Sequence, residues 1–294
     1  MALVGIVALA GGCARPGGVD GDLLDDWPTM AAPAPYVPEP GRCYVNEFAP
    51  TSSLSTDRPV DCAKPHRLET VHVGTFTGAA ADLQKPPRAG SGEITTAYAD
   101  CDAKAREYVG DEWRNGRLRL GVALPTASAW TGGARWYRCD VEELSWAKGE
   151  PVPTNRTGSV KGALATADSP LRLGCFDVKL ARTGKVDTMH PVDCGKPHNS
   201  EFVGVWDARK HGYPEKDRDW LPFYDGCLKR VAAYVGVPED RNLRARTGVV
   251  TVPARSDDWQ SGDRQVRCYL WVDGGRFTRS LKGVGPAGLP VPTG

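Results

Sequence analysis

Leu118, Leu120, Val122 and Leu124 alternate with other residues until Pro125, the two-residue period of a half-buried strand. A different period precedes it. Ile94, Ala97, Tyr98, Cys101, Ala105 and Tyr108 fall on one helical stripe, and Val109-Gly110 supplies a glycine stop, so a helix is predicted there. Further upstream, Cys43–Phe48 reads as a short strand and His66–Phe76 as a second. In the second, Leu68, Thr70, His72 and Gly74 alternate with Glu69, Val71, Val73 and Thr75, and the valines favour their own side as the buried one. Ala134–Val141 completes the set as a last strand.

The whole pattern occurs twice. Pro59-Val60-Asp61-Cys62-Ala63-Lys64-Pro65-His66-Arg67-Leu68-Glu69 returns as Pro191-Val192-Asp193-Cys194-Gly195-Lys196-Pro197-His198-Asn199-Ser200-Glu201, each copy placing its cysteine 19 residues after another, Cys43 or Cys175. Cys101-x6-Tyr108-Val109-Gly110 matches Cys227-x6-Tyr234-Val235-Gly236 at the helix end. Trp130-x2-Gly133-x-Arg135-x2-Arg138-Cys139 matches Trp259-x2-Gly262-x-Arg264-x2-Arg267-Cys268. A tandem duplication follows, its length differences confined to loops, where insertions cost least. The expected fold is α+β, two similar domains, each a small antiparallel sheet with one helix packed across it. Their bounds are 41–146 and 173–281. A Pro/Gly/Ala/Thr-biased linker (147–172) separates them, and a Gly/Pro tail (282–294) is expected to be disordered.

Charge narrows the partners. Lys plus Arg (37) and Asp plus Glu (36) nearly cancel, so no concentrated basic face for nucleic acid is expected. Residues 1–12 carry no charge and are too short to span a bilayer, but they fit the apolar part of a signal peptide. Leu9-Ala10-Gly11-Gly12-Cys13 resembles a bacterial lipobox, which implies lipidation at Cys13. Pro- and Ala-rich residues 13–40 would then tether the folded part to the membrane's outer face.

With Cys13 set apart from the nine cysteines, eight remain: Cys43, Cys62, Cys101, Cys139, Cys175, Cys194, Cys227 and Cys268. An even number in an exported chain reads as a disulfide framework. Four per domain allow three pairings. If the first two strands formed a hairpin, Cys43 and Cys62 would lie at opposite ends, beyond the ~7 Å Cα separation a disulfide tolerates. The preferred pairing is therefore Cys62–Cys101 with Cys43–Cys139, and Cys194–Cys227 with Cys175–Cys268. Cys62-x3-His66 with Glu69 also offers sulfur, nitrogen and oxygen donors of types zinc accepts, but no close CxxC accompanies it.

Cys43-Tyr44 and Cys175-Phe176, the two Pro-His-x-x-Glu stretches, the helical cysteines and the two Trp-x-x-Gly-x-Arg-x-x-Arg-Cys runs together resemble the septum-formation domain of actinobacterial envelope proteins, in two copies. The resemblance covers nearly all of both domains. It implies a membrane-anchored extracytoplasmic protein of cell division or envelope assembly, and it names no reaction.

The candidate residues are His66, Glu69, His198 and Glu201, with Trp130 and Trp259. A histidine oriented by a glutamate can act as a general base, but no nucleophile stands in a recognisable context. Two identical catalytic sites in one small chain are unusual, whereas a corner that defines the fold must recur in each copy. The same logic makes the tryptophans core residues before ligand contacts. Arg135, Arg138, Arg264 and Arg267 are expected on the solvent faces of short strands. The sequence reading is thus a non-catalytic binding or scaffold module without cofactor or resident metal. Its expected partners are envelope or division proteins, or a cell-wall polymer. A wall-modifying hydrolase using His66/Glu69 and His198/Glu201, or a metal-binding envelope sensor, are the competing readings.

Overall fold

The computed structural model describes residues 34–147 and 150–289. The predicted signal segment, Cys13, the tether up to residue 33 and residues 290–294 lie outside them. The first half contains β1 (Cys43–Tyr44), β2 (Thr51–Ser52), β3 (Pro59–Val60), β4 (Leu68–Thr75), helix α1 (Gly92–Val109), β5 (Leu118–Pro125), α2 (Ala127–Thr131), β6 (Trp136–Ala147) and β7 (Glu150–Pro153). Its strands lie in the order β2-β5-β6-β4-β1-β3, with β7 continuing on β6. The second half contains β8 (Cys175–Leu180), β9 (Val186–Val192), β10 (Ser200–Asp207), α3 (Leu221–Val235), α4 (Arg241–Arg246), β11 (Gly248–Pro253), α5 (Ser256–Ser261), β12 (Gln265–Trp271) and α6 (Gly285–Gly288). Its order is β11-β12-β10-β8-β9.

The fold is α+β in both halves, and the centres of the sheets match in detail. The β4–β6 ladder slips between Thr70 and His72, and the β10–β12 ladder slips at the equivalent place, between Phe202 and Gly204. Such bulges re-aim side chains and bend the strand. Among the described residues every strand pair is antiparallel except β2 with β5.

One long helix crosses each sheet for reasons visible in its sequence. In α1, the Ser91 hydroxyl accepts from Ile94 N–H at the start, and Gly110 takes the left-handed conformation (φ 88°) at the end. Its buried side chains are Ile94, Ala97, Tyr98, Cys101, Ala105 and Val109, the predicted stripe moved by one residue at its last turn. Helix α3 has Pro222 in its first turn and ends on Gly236 at φ 82°. Its Leu228, Val231 and Val235 are fully buried, packed with Leu243 and Leu270.

The disulfides correct the expected pairing. They are Cys43–Cys62, Cys101–Cys139, Cys175–Cys194 and Cys227–Cys268, with Cα separations of 5.1–5.3 Å. Cys43 and Cys62 meet because Cys43 opens a strand of only two residues, not one running to Phe48. The chain then loops away and returns as β3, which pairs with β1 so that Cys43 faces Val60. Cys62 follows two residues later.

The stretches set aside as linker and tail are packed where they are described. Val160 and Leu164 are fully buried in the first core. Gly162 N–H donates to Tyr108 O and Leu164 N–H to Val109 O, closing the end of α1. In the tail Gly283 N–H donates to Tyr234 O, and Leu289 is buried. Glycine here forms tight turns (Gly162 and Gly283 at φ 65° and 67°), a use that composition alone does not separate from a flexible spacer.

Candidate functional site

The repeated corner is built by its own backbone. Asp61 turns the chain: its side chain accepts from Ala63 N–H and its carbonyl from Lys64 N–H. Pro65 then fixes the entry to His66, whose Nδ1 lies 2.8 Å from Lys64 O. A carbonyl only accepts, so Nδ1 carries the proton. The His66 backbone forms a two-bond bridge with Arg156. In the second half Asp193 turns the chain in the same way, His198 Nδ1 donates to Lys196 O at 2.8 Å, and His198 bridges to Phe277.

Three residues later the glutamate lies on the central strand and collects donors from the rest of its half. Glu69 accepts from Tyr108 Oη (2.7 Å), Ser159 Oγ and Val160 N–H (2.7 Å). Glu201 accepts from Tyr234 Oη (2.7 Å), Ser280 Oγ (2.9 Å) and Leu281 N–H (2.8 Å). Burial pushes the Tyr108 phenol up to about 12, and its bond to Glu69 adds to the rise. Burial raises Tyr234 as well, again with its glutamate contributing.

The helix-end Tyr-Val-Gly match thus belongs to the same unit as the Pro-His-x-x-Glu match. Sequence analysis missed its third part, the serine segments. The signal was present: Thr157-Gly158-Ser159-Val160-Lys161-Gly162 parallels Thr278-Arg279-Ser280-Leu281-Lys282-Gly283. The first lay in the stretch assigned to the linker, and the second straddled the boundary between the second domain and the tail.

All four residues of the two pairs are closed off from solvent, His66 and Glu69 at 1% exposure and His198 and Glu201 at 0% and 1%. The copies differ in one bond. His198 Nε2 lies 3.1 Å from Glu201 Oε1, an attractive contact only with a proton between them, since Nδ1 already donates elsewhere. His66 Nε2 is buried without a hydrogen-bond partner among the described residues. Donor atoms of Cys43, His66 and Glu69, and of Cys175, His198 and Glu201, each converge within 4.8 Å. Both sulfurs are bonded to Cys62 and Cys194, however, and a disulfide sulfur is not the thiolate that zinc selects.

The tryptophans lie in the cores. Trp130 is fully buried and donates from Nε1 to Leu83 O at 2.6 Å, and Trp259 (2% exposed) sits between Tyr213 and Phe223. The arginines beside them are not solvent-facing as expected. Arg135 stacks on Trp130 and donates to the Ala81 and Trp130 carbonyls; Arg264 stacks on Trp259. Arg138 is buried between Asp57 and Asp140 (2.7 and 2.9 Å).

Arg267 joins the halves. It donates to the carbonyls of Arg114 (3.0 Å), Gly116 (3.4 Å) and Leu118 (2.6 Å). Arg114, itself buried, is held by Asp102, Glu112 and Asp263, and Arg119 pairs with Asp258. Strand alternation cannot reveal such roles, because the partner surface comes from the other half of the chain.

The halves also diverge where the helix meets the sheet. His72, Asp100 and Tyr137 form a hydrogen-bonded trio, with Asp100 Oδ2 3.1 Å from His72 Nε2 and 2.7 Å from Tyr137 Oη. The ladder and helix positions put Gly204, Gly226 and Val266 there in the second half, with the Trp206 ring packed against Gly226.

Two disulfide-bonded α+β halves share one plan, in which the recurring His–Glu corner is buried by the fold itself. A family model described as septum formation matches residues 40–268, and the chain belongs to that family. No curated protein and no solved structure is similar enough to this chain to match it.

Proposed function

We propose that this protein is a non-catalytic, extracytoplasmic binding or scaffold module of envelope and septum formation, tethered by a lipid at Cys13. Family membership supports the process. Four disulfides favour an oxidising compartment, and the Leu9-Ala10-Gly11-Gly12-Cys13 stretch favours the anchor. The observation that carries the non-catalytic reading is the burial of both His–Glu pairs, whose carboxylates spend their acceptor capacity on tyrosine, serine and backbone donors of the same half. A general base must reach its substrate's proton directly or through one water.

Two experiments test this. Replacing His66 and His198 by alanine should lower the melting temperature; an unchanged melting temperature with loss of envelope function would favour a catalytic site instead. Cells fed an alkyne fatty acid should label the wild-type chain, and Cys13→Ala should abolish both label and membrane retention. Retention of the label by Cys13→Ala would overturn the tether.

A further inference from the structure

Strand β11 is an edge strand, Gly-Val-Val-Thr-Val-Pro, with no charge along it. Proteins ordinarily blunt such an edge with charge, a bulge or a cover. In the first half the cover exists: β2 runs parallel along the outer edge of β5, and Leu124 N–H donates to Pro50 O. Leu124 holds the ladder position that Pro253 holds in β11, since Ala123 faces Arg138 as Val252 faces Arg267. By alternation, the amides of Val249 and Thr251 point outward from β11. Neither has a backbone partner there among the described residues. Pro253 has no N–H, which limits pairing to the earlier part of the strand.

This edge opens into a groove of about 680 Å³, lined by every residue from Val249 to Pro253. Its apolar lining comes from both halves, Leu144 and Trp146 from the first and Met189, Tyr269 and Trp220 from the second. Trp220 is 37% exposed. Of the charged lining residues, Arg117 pairs with Glu143 and Arg267 is spent on three carbonyls. Among the described residues Lys185, Glu215 and Asp217 form no ion pair, and Glu215 and Asp217 place two carboxylates two residues apart on the lining.

We infer that this groove binds an extended segment of another protein, which adds a strand to the outer edge of β11. The segment places alternate apolar side chains in the groove and a basic residue against Glu215 and Asp217. The inference rests on the binding-module reading and deepens it. The edge strand of a second copy would present β11 itself, which has no basic residue for Glu215 and Asp217, whereas a segment of another protein can supply one. The internal precedent, β2 on β5, is also parallel, whereas two copies related by a two-fold axis would pair antiparallel. Main-chain bonds would give affinity and the pockets specificity, as in other strand-addition complexes.

The test uses the full chain and a fluorescein-labelled probe peptide, acetyl-Lys-Val-Thr-Val-Thr-Val-Lys-amide. Anisotropy should show saturable binding, and hydrogen exchange at Val249 and Thr251 should be fast in the free chain and slowed at least tenfold by the probe. Thr251→Pro removes an outward N–H without touching the ladder to β12 and should weaken binding at least tenfold; Glu215→Lys should weaken it several-fold. N-methylation of alternate amides in the probe tests the same bonds with the protein untouched: one register should abolish binding and the other leave it intact. No saturable rise up to about 1 mM, or binding indifferent to N-methylation, overturns the inference. So does protection of both amides in the free chain. Protection that grows with concentration would then assign the edge to a second copy, and concentration-independent protection to residues of the same chain. The fatty-acid label and the histidine variants do not involve this groove, so the two proposals fail separately.

Discussion

Glu201→Ala isolates the energetics of the corner. The substitution strands three donors, Tyr234 Oη, Ser280 Oγ and Leu281 N–H, and removes the partner of His198 Nε2. Ser280 is exposed and can turn to water, and Tyr234 can keep its 3.1 Å contact with Ser280. Leu281 N–H and His198 Nε2 have no such escape, as their residues are 1% and 0% exposed. An unsatisfied buried group costs about 1–3 kcal/mol. Two such groups make the expected loss about 2–6 kcal/mol, the two hydroxyls being partly rescued. In urea, with a slope of about 2–3 kcal/mol/M, the midpoint falls by about 1–2 M with disulfides intact. Tyr234→Phe alone should cost about 1.5–3 kcal/mol, the range for a hydrogen bond to a charged acceptor. In the Glu201→Ala background it should cost almost nothing, because its acceptor is already gone. A loss below about 1 kcal/mol for Glu201→Ala, or a full additive cost for Tyr234→Phe, would refute the view that the carboxylate holds this half together.

Non-reducing peptide mapping should recover Cys43–Cys62, Cys101–Cys139, Cys175–Cys194 and Cys227–Cys268, and a Cys62–Cys101 peptide would contradict the register of β1. Loop closure over 38 and 19 residues makes serine replacement of the Cys101–Cys139 pair cost about 4 kcal/mol and of the Cys43–Cys62 pair about 3, measured by denaturant unfolding. A Cβ at Gly226 would stand 2.1 Å from the Trp206 ring, so Gly226→Ala should destabilise by about 1–3 kcal/mol, and its cost should fall in a Trp206→Ala background. Arg267→Ala should lower the melting temperature by removing the donors to Arg114, Gly116 and Leu118; Arg267→Lys should not restore it, since an ammonium cannot reproduce the planar fork.

The duplication, the main helix, the central strands and the residues of the corner were legible because each copy vouches for the other. A match such as Tyr108-Val109-Gly110 with Tyr234-Val235-Gly236 needs no knowledge of what the tyrosine touches. The Ser159 segment was overlooked for a compositional reason: it sits among prolines and glycines, where a turn that closes a core and a spacer that closes nothing look alike. The arginines misled for a related reason. A strand with period two predicts which residues leave the first sheet face, but it does not say whether water or another half of the chain waits there.

By itself, then, the sequence determined a duplicated α+β chain with paired cysteines and a recurring Asp-Cys-x-Lys-Pro-His-x-x-Glu corner, because helix and strand periods and turn chemistry are local properties. Tertiary structure decided which cysteines meet, that Glu69 and Glu201 are buried staples, that Arg267 joins the halves, and that β11 keeps an edge its counterpart has closed. Each of these depends on residues far apart in the chain arriving within a few ångströms of one another, and neither spacing nor composition encodes that distance.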